Sequence, residues 1–251
     1  MTKIRGYFSL NGENSLSENQ LPIVVIACQV FHGLIEKFLP ADLAGKTTFL
    51  DYGLHVTPKK LTSAIQEQVD QLDDPSLVLL GYGLCGNGLD GIRAGKHILL
   101  IPRADDCIAI FLGSYKDYRR EFDSVPGTYY LTKGWLESGS NPLKEYQRYV
   151  EKYGKDTADW IMDQQYRHYK RLAFVAHDMD DIEKYRPEAI EVARYCQRWG
   201  MDYEEILGSD RYLSRLVEVA FALEKADGEF TVVPPGGVLS QSAFIRISDD
   251  R

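Results

Sequence analysis

The sequence predicts an α/β fold, with a mostly parallel, Rossmann-like sheet flanked by helices. Three observations carry that expectation. Short apolar runs at 23–27, 77–80 and 97–101 are bounded by turn residues, the pattern of strands buried on both faces. Between two of them Leu61, Ile65, Val69 and Leu72 recur at helical intervals. The strand–helix alternation continues along the chain, and right-handed crossovers make neighbouring strands parallel.

Taken in order, 4–10 reads as a short strand and Asn11-Gly12-Glu13-Asn14-Ser15 as a polar loop. Strand 23–27 runs into Cys28, and a short helix follows with Phe31, Leu34, Ile35, Phe38 and Leu39. Cys28 would then stand at that helix's N-terminus, where the dipole lowers a thiol's pKa. Thr57-Pro58 is a helix start, an N-cap before proline at the first helical position. Asp73-Asp74-Pro75 ends that helix. After Cys107 an apolar run continues to Gly113-Ser114, then 115–122 is helix-like, Pro126-Gly127 a turn and 128–132 a strand. One helix runs from Pro142 to a break at Gly154, and Asp156 caps the next. Strand 172–176 ends in His177-Asp178. Helices are expected over 187–199 and from Tyr203, interrupted at Gly208, to Glu224. Strand 230–233 precedes Pro234-Pro235-Gly236-Gly237, and the tail carries an apolar patch at 243–247.

The reading is one domain over 1–251, with an N-terminal strand and loop at 1–20 and cysteine-bearing βα units at 21–140. A helical and C-terminal βα part fills 141–251. Strands ending near His177 and Pro234 leave open two pseudo-repeated halves.

With 251 residues, 44% of them hydrophobic, the chain can bury a large core. A net charge of −8, with no basic run, argues against nucleic acid or an anionic membrane as partner. No apolar stretch reaches the roughly 20 residues that span a bilayer. No basic segment followed by an apolar run marks a signal peptide. The expected location is the cytoplasm, and the four cysteines, none closely paired, are not a disulfide framework.

The chain is organised around Leu79-Leu80-Gly81-Tyr82-Gly83-Leu84-Cys85-Gly86-Asn87-Gly88. Thirty residues earlier, Leu50-Asp51-Tyr52-Gly53-Leu54-His55 repeats its Leu-x-Tyr-Gly-Leu tail, with His55 in the place of Cys85. Four successive strands thus end near Cys28, His55, Cys85 and Cys107. Ligands of open α/β sheets bind in the crevice beyond the carboxyl ends of the strands. Thiolate and imidazole are ligands of zinc and iron–sulfur centres. A cysteine is often a plain small hydrophobe, but packing does not explain three of them, each one step beyond a strand. Cys196, mid-helix, reads as core filler.

Structural zinc would bring Cys-x-x-Cys knuckles, and none exists here. Three cysteines with one position open suit a [4Fe-4S] cluster with a substrate-accessible iron. They also suit a catalytic Zn2+ that activates a thiol for methyl transfer. The all-cysteine set favours the cluster, and coordination by His55 as well would close the site. Around it, Arg103 reads as a clamp for a small anionic substrate, Asp105 or Asp106 as the acid/base group and Tyr82 as a hydroxyl donor. The bland alternative for Arg103, Asp105 and Asp106 is a solvated salt bridge.

Gly81-x-Gly83-x-x-Gly86 after a strand also matches the dinucleotide fingerprint, with Asp105 about 20 residues further on. Gly83 and Gly86 would then cradle NAD or S-adenosylmethionine. Against this, 87–96 is short and holds Gly88, Gly91 and Gly95, a poor helix for binding phosphate. Lys116 and Lys133 read as surface groups, His177-Asp178 as a second metal pair. The tyrosines at 146–169 read as a packed helical face or a homo-oligomer contact.

Three motifs occur in order: Tyr82-Gly83-Leu84-Cys85-Gly86, then Asp105-Asp106-Cys107 with Leu112-Gly113-Ser114, then Pro126-Gly127-Thr128-Tyr129-Tyr130-Leu131-Thr132 with Gly134-Trp135. Across most of 20–200 the chain resembles a bacterial and archaeal family known as a domain of unknown function. The resemblance implies a common site around Cys28, Cys85 and Cys107. It also implies a setting in one-carbon metabolism, beside corrinoid-dependent methyltransferases, with no assigned activity. The expected function is a metal–thiolate enzyme acting on a small molecule. The alternatives are a zinc-dependent methyltransferase, a non-catalytic metal carrier for a corrinoid protein or methyltransferase, and a nucleotide-binding protein.

Overall fold

The computed structural model describes residues 21–245. The strand expected at 4–10, the loop at 11–15 and the end of the patch at 243–247 lie outside them.

The chain is α/β and carries two sheets. The first takes β1 (Ile23–Cys28), β2 (Thr48–Leu50), β3 (Leu77–Gly81) and β4 (Ile98–Pro102), with β8 (Phe230–Val233) returning late in the chain. Its order is β2-β1-β3-β4-β8. The first four strands are parallel and β8 runs antiparallel along β4. The second sheet is all parallel, β5-β6-β7, from Thr128–Thr132, Arg171–Ala176 and Asp202–Leu207. The halves do not echo each other, because the strand before Pro234 is the antiparallel edge of the first sheet.

The helices are α1 (Ala41–Ala44), α2 (Pro58–Asp70), α3 (Cys107–Phe111), α4 (Tyr115–Ser124), α5 (Lys133–Glu137), α6 (Pro142–Tyr153), α7 (Lys155–Tyr166), α8 (Met179–Cys196) and α9 (Arg211–Phe221). In α2 the expected apolar face is the buried one, through Leu61, Ile65 and Val69. Burying such side chains stabilises by about 1.5–3 kcal/mol each. On the other face of the first sheet α9 supplies Tyr212, Leu213 and Leu216, and Val175 of β6 joins the same core. The two sheets are therefore packed through shared apolar side chains.

Three local expectations fail for identifiable reasons. The segment after Cys28 is not a helix but two single 3-10 turns, Gln29–Phe31 and Ile35–Lys37, separated by Gly33 at φ +77°. Residues 203–207, the start of the helix expected from Tyr203, belong instead to β7. Their carboxylates are taken up by neighbours on β6 and α8: Arg171 pairs with Glu204 at 2.6 Å and Arg186 with Glu205 at 2.8 Å. Helix α8 begins at Met179, well before Pro187, because the Asp178 carboxylate accepts from the Asp181 amide and caps it.

Two glycines set how tightly the first sheet closes. A Cβ on Gly81 would lie 2.7 Å from the Cβ of Ala27 and 3.3 Å from its Cα, so β1 and β3 approach only because position 81 is bare. Gly81→Ala should cost about 1–3 kcal/mol as overpacking, read as a lower urea midpoint at unchanged slope. Gly228→Ala, with nothing within 4 Å of the added methyl, should stay within about 0.5 kcal/mol of the parent.

Candidate functional site

In the order β2-β1-β3-β4, the chain leaves β1 for one neighbour and returns to the other, so the sheet's topological switch point lies between β1 and β3. That is the crevice where open α/β sheets bind ligands. A cavity of about 270 Å³ opens there, and Cys28, His55, Cys85 and Cys107 all line it. Tyr52 and Tyr82 line it too, so both tyrosines of the Leu-x-Tyr-Gly-Leu repeat reach the cavity. Apolar walls come from Val30, Leu61, Ile108 and Trp135.

Each cysteine is held by a different device. Cys28 is the last residue of β1. Cys85 sits in a left-handed turn, φ +48°, followed by Gly86 at +64° and Asn87 at +72°. A non-glycine residue there costs of order 1 kcal/mol, and such strain clusters at functional positions. The turn is anchored because Leu84 N–H donates to the Ala104 carbonyl (2.8 Å) and Cys85 N–H to that of Asp105 (3.0 Å). Gly83 allows this: its Cβ would stand 2.6 Å from the Asp106 carbonyl carbon. Cys107 opens α3, and Asp106 caps that helix by accepting from Ile108 N–H (2.9 Å) and Ala109 N–H (3.4 Å). The apolar run after Cys107 is thus helical.

Burial dominates the electrostatics. It pushes the Cys28 thiol up to about 11, against a lowering contribution from the Val30 amide, with Asp51 adding to the rise. Cys85 is pushed up to about 12 by burial, then by Cys28 and Asp106. Cys107 is raised well above the ordinary range by burial, then by Cys85, Asp106 and Cys28. The dipole expectation for Cys28 is overturned: a three-residue turn cannot offset desolvation. The three thiols feel one another, and burial favours the neutral form of each. Among the described residues, no group of three or more His, Cys, Asp and Glu forms a set that could hold a metal ion.

Tyr82 is 2% exposed, and its hydroxyl has no partner among the described residues. Burial, then Cys28 and Cys85, holds that phenol protonated. It is a buried donor facing the thiols. His55 Nδ1 lies 2.5 Å from the Tyr52 carbonyl. A carbonyl only accepts, so Nδ1 is the donor, and in the neutral ring the lone pair then lies on Nε2.

The remaining sequence candidates divide. Gly86 lines the cavity, and Gly83 lies behind it against Asp106. Asp106 lines the cavity, but its carboxylate is occupied by the α3 amides and by the Tyr118 hydroxyl at 3.3 Å. It positions Cys107. Asp105 is exposed and outside the lining. Arg103 donates to the carbonyls of Gly228 and Ile245 and is not among the residues lining the cavity. The dinucleotide fingerprint leads into turns, and no helix stands between β3 and β4 to receive a phosphate. His177 is buried beside Asp210, Nδ1 to Oδ1 2.7 Å, while Asp178 caps α8, so these two do not form a pair. Asp51 and Trp135 also line the cavity. Trp135 stood inside a recognised motif but carried no chemical signal of its own.

These features define an α/β protein with a three-cysteine cavity at the switch point of a parallel sheet. The chain belongs to DUF1638, a family described as proteins of unknown function, and the match spans residues 49–217. That span holds His55, Cys85 and Cys107 and begins after Cys28. No curated protein and no solved structure matches the chain.

Raised thiol values mean little thiolate near neutrality. In the metal-free protein, alkylation of the pocket cysteines at pH 8 should run at least about a hundredfold slower than that of a free cysteine. The rate should still be climbing at pH 10, measured by iodoacetamide labelling and mass spectrometry. A plateau by pH 9 would contradict the burial argument.

Proposed function

We propose that this protein is a metal–thiolate enzyme in which Cys28, Cys85 and Cys107 hold a [4Fe-4S] cluster. One observation carries the reading: three cysteines from three adjacent strand ends line a single cavity. The chemistry of the donor set fits. Thiolates are the standard cluster ligands, and a cationic centre offsets the desolvation that keeps these thiols protonated. Cluster thiolates bind different irons, whereas ligands of one zinc converge to about 2.3 Å from the same ion. The all-cysteine donor set therefore favours a cluster. With three protein ligands, the fourth iron would be left as a Lewis acid for a small-molecule substrate.

The chain's own groups have separable tasks in this reading. Tyr82 offers a hydroxyl to the bound substrate, His55 offers the Nε2 lone pair as a base, and the apolar walls exclude water. Among the described residues the cavity lining contains no Lys or Arg to act as counter-charge for an anionic substrate. A second reading, a metal carrier for the corrinoid methyltransferase setting that the family resemblance implies, is favoured by one fact. The expected aspartate pair is not available, since Asp105 lies outside and Asp106 is committed to capping α3.

Anaerobic purification should yield coloured protein with about four irons per chain, read by visible absorption and elemental analysis. Cys28→Ala, Cys85→Gly and Cys107→Ala should each lose the iron, and Cys196→Ala should keep it. Cys85→Gly should retain full thermal stability, because glycine relieves the left-handed turn. Colourless protein with one zinc selects the zinc methyltransferase alternative. Failure to take up iron on reconstitution with iron and sulfide overturns the cluster.

A further inference from the structure

Beside the thiol cavity lies a second cavity of about 550 Å³, lined by the rings of Tyr129, Tyr130, Trp135, Tyr149, Tyr166 and Tyr169. The two share His55, Asp106, Ile108 and Trp135 as common wall. We propose that this groove binds a quaternary ammonium group of a small molecule.

Ring geometry argues first. Tyr129 meets Tyr166 at 66° and Tyr169 at 82°, and Tyr166 meets Tyr169 at 38°. A flat heterocycle needs a slot between near-parallel rings. These three rings pack on one another and leave no such slot, whereas a compact cation needs only an exposed ring face.

Charge argues second. The groove carries the carboxylate of Glu145, while that of Asp106 is committed to capping α3, and among the described residues Arg148 is its one Lys or Arg. Arg148 is exposed, and its guanidinium donates to the Gly139 carbonyl at 3.1 Å. Glu145 accepts from the Tyr166 hydroxyl at 2.6 Å, setting negative charge against the ring cluster. The lining offers no triad of acidic or imidazole ligands for a bare metal ion. A quaternary ammonium asks for none, since it has no N–H to satisfy. The volume lies within the range of small-molecule sites, about 300–1,000 Å³.

The proposal stands apart from the metal–thiolate reading, since binding the cation needs neither metal nor thiol. Calorimetry on the metal-free full chain would use choline and its neutral isostere, in which a tert-butyl group replaces the trimethylammonium. Choline should bind at a single saturable site at least tenfold tighter than the isostere. Tyr149→Leu and Glu145→Gln should each weaken choline about tenfold, with circular dichroism and melting unchanged. Should Tyr149→Leu unfold, Glu145→Gln carries the test alone, because it removes charge without removing volume. Equal binding of choline and isostere would show a merely apolar groove and overturn the proposal. Absence of saturable choline binding overturns it as well.

Discussion

The backbone of the loop after β3 lies directly against the backbone of Asp106, and the whole cavity depends on that contact. Parallel pairing of β1, β3 and β4 already delivers their carboxyl ends to one rim. It does not by itself aim three side chains into one space. Gly83 lets the 83–85 segment continue along the β4 loop past the last strand residues, through the Leu84 and Cys85 amides. Cys85 then turns inward by adopting a left-handed conformation, while Cys107 is fixed beside it as the first residue of a capped helix. An alanine at 83 would push the loops apart, and Asp106, Cys107 and Cys85 would lose their common frame together.

Much of this was legible in the sequence because it rests on short-range rules. Apolar runs, turn residues and the Thr57-Pro58 start locate β1, β3, β4, β5 and α2, and the strand-end rule puts the cysteines at one rim. The Leu50–His55 repeat proved informative for the same reason, since equivalent strand ends present equivalent residues. What failed depended on long-range partners. Nothing local tells that the acidic run 202–207 will pair as a strand, because the arginines that neutralise it come from β6 and α8. Nor does Arg103-Ala104-Asp105-Asp106 reveal that its arginine turns to the 228 and 245 carbonyls while its second aspartate caps a helix. Charged residues beside a site read alike whether they face it or brace it.

Protonation ties the metal-free fold to metal binding with opposite signs. A thiol whose folded pKa lies above its unfolded value favours the fold below the unfolded value of 9.0, and that contribution is lost as pH rises toward 11 and 12. The metal-free protein is therefore comfortable with three neutral thiols in an apolar cavity. A metal centre needs them ionised, and its binding must expel those protons. Desolvation of the cavity thus sets a threshold that any ion bound by these thiols would have to overcome.

The second sheet is part of this arrangement rather than an appendage. Trp135 reaches the cavity because α5 packs against the first sheet at Gly134, where a Cβ would sit 2.7 Å from the Tyr52 ring and 3.1 Å from Val30. Tyr52 and Val30 in turn line the thiol cavity. One tryptophan therefore closes the thiol chamber on one side and the tyrosine groove on the other. A molecule occupying both would be gripped by the second sheet while its far end met the cysteines of the first. The family match, residues 49–217, takes in the whole second sheet and β3 and β4 of the first, so the α5 contact that carries Trp135 to the cavity lies within the shared region, with β1 and β8 outside it.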